Sequence, residues 1–351
     1  MIVAPDATLD LVAPLLSEAL LAPSAWSAVR AVAAGLPRVA SGVALEFRLD
    51  ASPRVDFLMY LLQRSGGHDA LLRSADVTPA WRGILDFCVE WANPASLLHA
   101  EVPALWLEFD IDGDPGAAPP PLPFPCIDRH VGSARPPEEQ DERGRATSLD
   151  LLLRTTTHLL GRPLPGPTLD AAAHVVERLP RRGRVLHAAP LASRHLDALR
   201  LVATIPAEDL PAYLGRIDWP GARPPLEPLL ALVPANERVG FHLDIGACVL
   251  PTLGVELFHP PGDPRWRLVL DGLVAMGMCL PEKRDALLRF PPYARVARPE
   301  HRVASPFSTT LGVKVVLRPD EPLRAKAYLG FVPLHPLLEF LDVAAVPPIA
   351  D

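Results

Sequence analysis

The segment LGVKVVLRPDEPLRAKAYLGF, residues 311–331, decides the fold that the sequence predicts. Its two halves, 311–317 and 324–331, alternate apolar and polar residues, which is the period of a half-buried strand. The residues between them, RPDE at 318–321, have the composition of a tight turn. The segment is therefore predicted to be an antiparallel strand pair.

The same unit recurs upstream of this segment. Strand pairs are predicted at 184–188 with 199–205 and at 239–245 with 254–258. Helices are predicted between the pairs at 149–160, 168–179, 206–215, 226–232, 264–278 and 281–290, several of them bounded by proline. A strand pair thus returns about every 60–70 residues, with two helices between successive pairs. The C-terminal part is predicted to be α+β, with antiparallel strand pairs alternating with helix pairs.

The N-terminal part carries this rhythm less clearly. Helices are predicted at 9–21, 24–33, 55–63 and 81–92, and single strands at 43–49 and 104–111. Residues 112–140 are dense in proline and charge without apolar periodicity. We therefore divide the chain into an N-terminal part at 1–112, a linker at 113–145 and a C-terminal part at 146–351. The alternative is that 113–145 is a long loop inside one domain.

Charged residues share one face of several predicted strands. Because successive strand residues point to opposite faces, Glu46 and Arg48 lie opposite the apolar residues of their strand, as do Glu108, Lys314 and Lys326 in theirs. An open sheet would turn this face to water. A closed sheet would turn it into a polar interior, in which clustered Lys and Arg side chains suit an anion such as diphosphate. The sequence leaves both arrangements open.

Composition excludes several classes of function. The 351 residues carry a net charge of −7, which argues against a general nucleic-acid-binding protein. The four cysteines form no C-x-x-C motif, so no zinc knuckle or dithiol redox site is indicated. No apolar run approaches the length of a membrane span, and the N-terminus lacks the basic region of a secretory signal. We expect a cytoplasmic protein without a membrane span.

Familiar catalytic and metal-binding motifs are missing, and no cofactor is predicted. The chain has no Walker loop, G-x-G-x-x-G or G-x-S-x-G motif, and no H-E-x-x-H. The series Asp110-x-Asp112-x-Asp114 resembles the start of a calcium loop but lacks the downstream glutamate, so it is more typical of a solvated turn, with weak magnesium binding as the alternative. His242 is a lone strand histidine, more typical of a hydrogen-bonded structural residue than of a general base.

The strand that carries Lys326-Ala327-Tyr328, the neighbouring Lys314 strand and the αββα rhythm together resemble the aromatic prenyltransferases of the αββα-barrel type. The resemblance covers roughly residues 150–335 and rests mainly on topology. It implies metal-independent transfer of a prenyl group from an allylic diphosphate to an aromatic or peptide acceptor. The sequence departs from the family in its low tyrosine content, since only four tyrosines are present.

The resemblance also implies roles for individual residues. Lys314, Lys326 and Arg200 would bind the diphosphate, with Arg48 and His242 completing the substrate-binding set. Tyr328 would shield the carbocation, and Glu46 or Glu108 would accept the proton from the acceptor. The alternative is a non-catalytic accessory protein that recruits a peptide or protein partner through an open sheet or edge strand. Low tyrosine content favours this alternative, whereas basic residues repeated on the same strand faces favour the enzyme.

Overall fold

The computed structural model describes residues 2–74, 78–111, 119–129, 139–194, 196–234, 237–296 and 305–334. The strands in this part of the chain are β1 Gly42–Arg48, β2 Val55–Leu62, β3 Ala104–Phe109, β4 Leu122–Cys126, β5 Arg184–Pro190, β6 Leu199–Pro206, β7 Arg238–Ile245, β8 Val249–His259, β9 Tyr293–Val296, β10 Ser305–Leu317 and β11 Arg324–Pro333. The α-helices are α1 Pro5–Val12, α2 Pro23–Ala34, α3 Gly67–Leu72, α4 Arg82–Ala92, α5 Leu97–Glu101, α6 Glu142–Leu160, α7 Gly166–Glu177, α8 Leu210–Arg216, α9 Leu226–Leu230, α10 Arg265–Ala275 and α11 Pro281–Leu288.

The strands form a closed antiparallel barrel. Strands β1 to β8 pair in chain order, β8 pairs with β10, β10 with β11, and β11 with β1. Ten strands therefore close the ring, and β9 pairs with the N-terminal part of β10. The narrowest seam joins β4 to β5, where Cys126 is opposite His187 and Ile127 N–H donates to the carbonyl of Leu186 at 2.8 Å. Of the two arrangements that the sequence left open, the structure has the closed one.

Apolar residues on the outer face of the barrel pack against the helices. Val43, Leu45 and Phe47 of β1 are completely buried in a core that also contains Trp91 of α4 and Trp266 of α10. Burying one such side chain contributes roughly 1.5–3 kcal/mol, so repetition around the ring stabilises the closed form. In strands with one charged face, such as β1 and β11, that face points inward.

Strand β2 corrects the prediction of a helix at 55–63. Its sequence, VDFLMYLL, is apolar except for Asp56, so it shows neither a clear two-residue nor a clear helical period. Phe57, Met59 and Leu61 belong to the outer core, whereas Leu58 and Tyr60 have the opposite orientation and are also buried. A strand that is buried on both faces loses the alternation on which the prediction relied.

Strand β4 lies within residues 113–145, which the sequence analysis treated as a linker or loop. It pairs with β3 on one side and meets β5 on the other, so the barrel contains strands from both the N-terminal and the C-terminal parts. Its two prolines, Pro123 and Pro125, have no N–H to donate, which accords with the short seam to β5. Strand β10 also begins earlier than the predicted 311–317, because residues 305–310 form its first half.

A buried lysine fixes the end of β1 that carries the charged residues. Lys283 of α11 donates through Nζ to the carbonyl oxygens of Arg48 and Asp50, both at 2.7 Å, and of Ser52 at 3.2 Å. The ammonium group thereby uses its three donors on the β1–β2 turn. The helix layer thus holds β1 and β2 in place from outside the barrel.

Candidate functional site

We call the interior of the barrel, lined by the inward-facing residues of its strands, the lumen. In the strand register, Glu46 of β1 is opposite Asp56 of β2 on one side and Tyr328 of β11 on the other. Tyr328 is in turn opposite Gly312 of β10, and Gly312 is opposite Phe258 of β8. Residues opposite one another in antiparallel strands point to the same face. The charged residues that the sequence placed on separate strands therefore converge in one enclosed space.

Glu46 lies at the centre of a cluster of cations. Lys326 Nζ donates to its Oε1 at 2.7 Å, Arg48 donates to the same oxygen, and Lys314 Nζ lies 3.9 Å from Oε2. The Glu46 side chain has no exposed surface. Burial alone would raise its pKa, but Lys326, Lys314 and Arg48 reverse this effect and hold the pKa well below its usual range. Glu46 is therefore ionised at neutral pH.

Arg48 links Glu46 to a second buried carboxylate. Its Nη2 lies 2.6 Å from Oδ2 of Asp56, whose other oxygen accepts from Ile111 N–H at 2.9 Å and from Arg54 Nε at 3.1 Å. Burial and the adjacent charge of Glu46 raise the pKa of Asp56. Two carboxylates thus share one guanidinium group, and Asp56 is the one more easily protonated.

The ring of Tyr328 already contacts a cation. Lys314 Nζ lies 4.8 Å from the ring centroid, within the range of a cation–π interaction. The Tyr328 hydroxyl interacts with Glu46; among the described residues, neither this hydroxyl nor Glu46 Oε2, both of which are buried, has a hydrogen bond of ordinary geometry. Burial and the charge of Glu46 raise the pKa of Tyr328 well above its usual value, so the ring is a neutral phenol. This part of the lumen combines a π face with unsatisfied polar atoms.

Two further arginines form ion pairs at the same end of the lumen. Arg200 of β6 binds Asp244 of β7 in a bidentate manner, with distances of 2.7 and 2.9 Å. Arg194, in the turn after β5, contacts Glu108 at 2.6 Å and Asp110 at 2.8 Å. Its side chain is 23% exposed, so solvent reaches this end of the barrel.

His242 forms a dyad with a glutamate from the adjacent strand. The distance from His242 Nε2 to Glu256 Oε2 is 2.6 Å. Burial and the charge of Lys314 lower the pKa of His242 to about 4, so at neutral pH the ring is uncharged and donates from Nε2. Nδ1 is then an acceptor, and it is buried without a hydrogen-bond partner among the residues that the structure describes. The dyad thus leaves an unused hydrogen-bond acceptor in the lumen.

One side of the lumen is apolar. Its packed residues are Leu122, Phe124, Ala189, Leu191, Ala198 and Val202, with Trp106 and Leu250 against them. Trp106 also contacts Tyr60, with ring centroids 4.5 Å apart. Aromatic and aliphatic walls beside converging polar groups are typical of small-molecule sites.

The lumen cations are largely neutralised by carboxylates. Five cations of the lumen each have an acidic partner within 4.0 Å: Arg48, Arg194, Arg200, Lys314 and Lys326. An anion that enters the lumen must therefore compete with these carboxylates, or bind while one of them is protonated.

All eight site residues predicted from sequence lie on inward-facing positions. Five of them form the Glu46 cluster: Glu46, Arg48, Lys314, Lys326 and Tyr328. The other three lie in neighbouring pairs: Glu108 with Arg194, Arg200 with Asp244 and His242 with Glu256. The proposed role of each residue stays a prediction.

Sequence reasoning missed three residues that shape the lumen. Asp56 was overlooked because its strand was predicted to be a helix. Glu256 alternates with Val255 and Leu257, so the same sorting of strand faces would have identified it. Arg194 comes from a short 3-10 turn, and no periodic signal marks it.

Comparison of the chain with known protein families and with curated protein sequences finds no match in either case. Among the described residues, no group of three or more His, Cys, Asp or Glu side chains is arranged to hold a metal ion. Of the aspartate series considered for magnesium, Asp112 and Asp114 lie outside the described residues, and Asp110 contacts Arg194. No helix in the described ranges is long and apolar enough to cross a membrane.

Proposed function

We propose that the protein transfers a prenyl group from an allylic diphosphate to an aromatic or peptide acceptor in the lumen, without a metal ion. The observation that carries this proposal is that Lys314 Nζ contacts both the Tyr328 ring, at 4.8 Å from its centroid, and Glu46 Oε2, at 3.9 Å, inside a closed barrel. The element order adds support, because the ring is built from five consecutive strand pairs with helices between them. This order corresponds to the αββα rhythm of the prenyltransferases that the sequence resembles.

The diphosphate would be bound by Lys314 and Lys326. Both ammonium groups contact the single carboxylate of Glu46, whereas a diphosphate offers several charged oxygens and can hold both at once. Cations aimed at the leaving group stabilise the charge that develops as the carbon–oxygen bond breaks. Diphosphate departs with the bonding electrons and leaves an allylic cation.

Tyr328 would stabilise the allylic cation through its ring. The ring already holds the Lys314 ammonium at cation–π distance, so it can face a second cation once Lys314 turns to the diphosphate. The acceptor ring then attacks the cation, a carbon–carbon bond forms, and one proton leaves. Glu46 is ionised, and its Oε2 lies 3.9 Å from Lys314 Nζ, beyond hydrogen-bond distance, so this oxygen can accept that proton; Glu108 is the other candidate.

A non-catalytic binding protein is the second candidate function. The observation that favours it is the charge balance of the lumen, where each cation of the Glu46 cluster already contacts a carboxylate. Under this proposal, the ion pairs would stabilise the barrel, and a peptide or protein partner would bind elsewhere. The two functions differ in whether diphosphate enters the lumen.

Calorimetric titration with dimethylallyl diphosphate distinguishes the two functions. We expect the wild-type protein to bind it and Lys326→Ala to lose about 2 kcal/mol of binding free energy, or roughly 30-fold in Kd, as for a charge-assisted contact. Arg324→Ala is the matched control, because Arg324 is a cation on the same strand whose side chain is 54% exposed. Its Kd should stay within about two-fold. Absence of wild-type binding would leave the non-catalytic function.

A further inference from the structure

A second basic cluster lies at the opposite end of the lumen from Arg48. Strands β1, β5 and β7 run in the same direction around the barrel, because neighbouring strands are antiparallel. Arg48 is the last residue of β1, whereas Arg184 and Arg238 are the first residues of β5 and β7. The prenyl-transfer proposal does not use this cluster.

The two arginines flank one residue of the strand between them. Thr204 of β6 is directly opposite Arg184 in register. Arg238 donates from Nε to Thr204 Oγ1 at 3.3 Å, and from Nη2 to the carbonyl oxygens of Thr204 at 3.2 Å and Arg182 at 2.6 Å. These contacts fix the Arg238 guanidinium group beside the start of β5.

Positive charge is in excess at this cluster. Arg184 contacts Asp128, and both residues are 8% exposed. Within the described residues, Arg238 has no carboxylate at ion-pair distance, and nearby Glu208 is paired with Arg182 at the surface. Burial and the charges of Arg182 and Arg184 lower the pKa of Arg238, as expected for a cation whose neighbours are also cations.

Arg184 also has an unused donor. Its Nη2 binds Asp128, but its Nη1 is buried and has no hydrogen-bond partner in the part of the chain that the structure describes. A buried charged donor without an acceptor costs free energy, which a ligand oxygen would recover. The charge excess and the unused donor are independent observations, and both point to an anion.

We propose that Arg184 and Arg238 bind the carboxylate group of a small organic ligand at this end of the lumen. Two arginines against one aspartate leave an excess of one positive charge, which a single carboxylate neutralises. The planar guanidinium group suits the two oxygens of a carboxylate. A diphosphate would bring more negative charge than this cluster balances.

The test compares a carboxylate with its neutral amide. Phenylacetate and phenylacetamide have nearly the same shape, and the full-length protein is titrated with each by calorimetry. We expect phenylacetate to bind at least about ten-fold more tightly than phenylacetamide, since one charge-assisted contact is worth about 1.5 kcal/mol or more. Arg238→Gln should remove this preference. Arg182→Gln, which removes a neighbouring charge that is 47% exposed, should leave it within about two-fold.

Several results would overturn the carboxylate site. Equal binding of acid and amide, or an unchanged preference in Arg238→Gln, shows that the arginines do not select the carboxylate. If Arg182→Gln loses the preference for phenylacetate as fully as Arg238→Gln does, the preference comes from general surface charge. Binding of inorganic phosphate without binding of phenylacetate contradicts the proposed ligand class. Arg184→Lys is a second variant that keeps the charge but alters the donor geometry, and circular dichroism verifies that each variant is folded.

Discussion

Replacing Glu46 by glutamine should destabilise the free protein by removing the charge at the centre of its most buried ion cluster. The glutamine amide keeps one oxygen for Lys326 but leaves Lys326, Arg48 and Lys314 without the anion that they share. Breaking a buried ion pair from one side costs about 3–5 kcal/mol. Because one hydrogen-bond acceptor is retained, we expect a loss of about 3 kcal/mol in the free energy of unfolding, or about 4 °C in Tm for a chain of this length.

The assay is urea and thermal unfolding of the wild type and Glu46→Gln. Glu321→Gln is the matched control, since Glu321 pairs with two arginines at the surface, where an ion pair is worth about 0–1 kcal/mol. A loss below about 1 kcal/mol in Glu46→Gln would contradict this prediction. It would mean that water or side-chain rearrangement compensates for the missing charge.

The pH dependence gives the same prediction an independent test. The folded protein holds the pKa of Glu46 well below its ordinary value of 4.5, so folding favours the ionised form. This stabilisation is complete above the unfolded pKa and is lost as pH falls through the folded pKa. The stability difference between wild type and Glu46→Gln should therefore be constant near neutral pH and narrow below about pH 4.5. A difference that stays constant in acid would contradict this account.

Three further substitutions test two residues of the lumen and the lysine that supports the β1–β2 turn. The folded state lowers the pKa of His242 to about 4, so the wild type loses stability as pH falls from about 6.5 to 4. His242→Gln should reduce this loss by on the order of 2–3 kcal/mol. Urea unfolding at about pH 6.5 and at about pH 4 measures the free energy of unfolding at both ends of the range. Lys283→Met should lose about 2–3 kcal/mol of stability, because three carbonyl groups of the β1–β2 turn lose their donor. Tyr328→Phe should retain prenyl transfer, whereas Tyr328→Leu should lower kcat about ten-fold or more by removing the π face, as steady-state kinetics would show.

Each of these predictions has an outcome that contradicts it. An unchanged acid slope in His242→Gln would show that the histidine is not held neutral by the fold. Wild-type stability in Lys283→Met would show that water replaces the ammonium group on the turn. Equal activity in Tyr328→Phe and Tyr328→Leu would exclude the ring from transfer, and loss of activity in Tyr328→Phe alone would assign the role to the hydroxyl.

Strand alternation predicted most of the barrel because the two faces of most strands differ in chemistry. In β1 and β11 the outer face is apolar and the inner face carries residues such as Glu46 and Lys326. Both strands, and the face that carries their charged residues, could therefore be predicted from the sequence. In β2 the inner residues Leu58 and Tyr60 are as apolar as the outer ones, and the signal disappeared. Closure of the barrel could not be predicted from strand alternation, because it requires β2 and the proline-containing β4, and neither strand was predicted.

The sequence predicted the cations of the candidate site but not the carboxylates with which they pair. A sequence shows that Lys314 and Lys326 share a face, but not that both meet Glu46, which comes from a strand about 280 residues away. The same limit hid the dyad of His242 and Glu256, whose partners depend on register between strands. Sequence pattern gives the face of a side chain, and only the closed sheet gives its partner.

The most direct measurement is a crystal structure of the protein soaked with dimethylallyl thiolodiphosphate, an analogue whose leaving group departs slowly. We expect density for the diphosphate in contact with Lys314 and Lys326, and for the allyl group against the ring of Tyr328. Density only on the outer surface, or an empty lumen at a concentration that saturates binding, would contradict it.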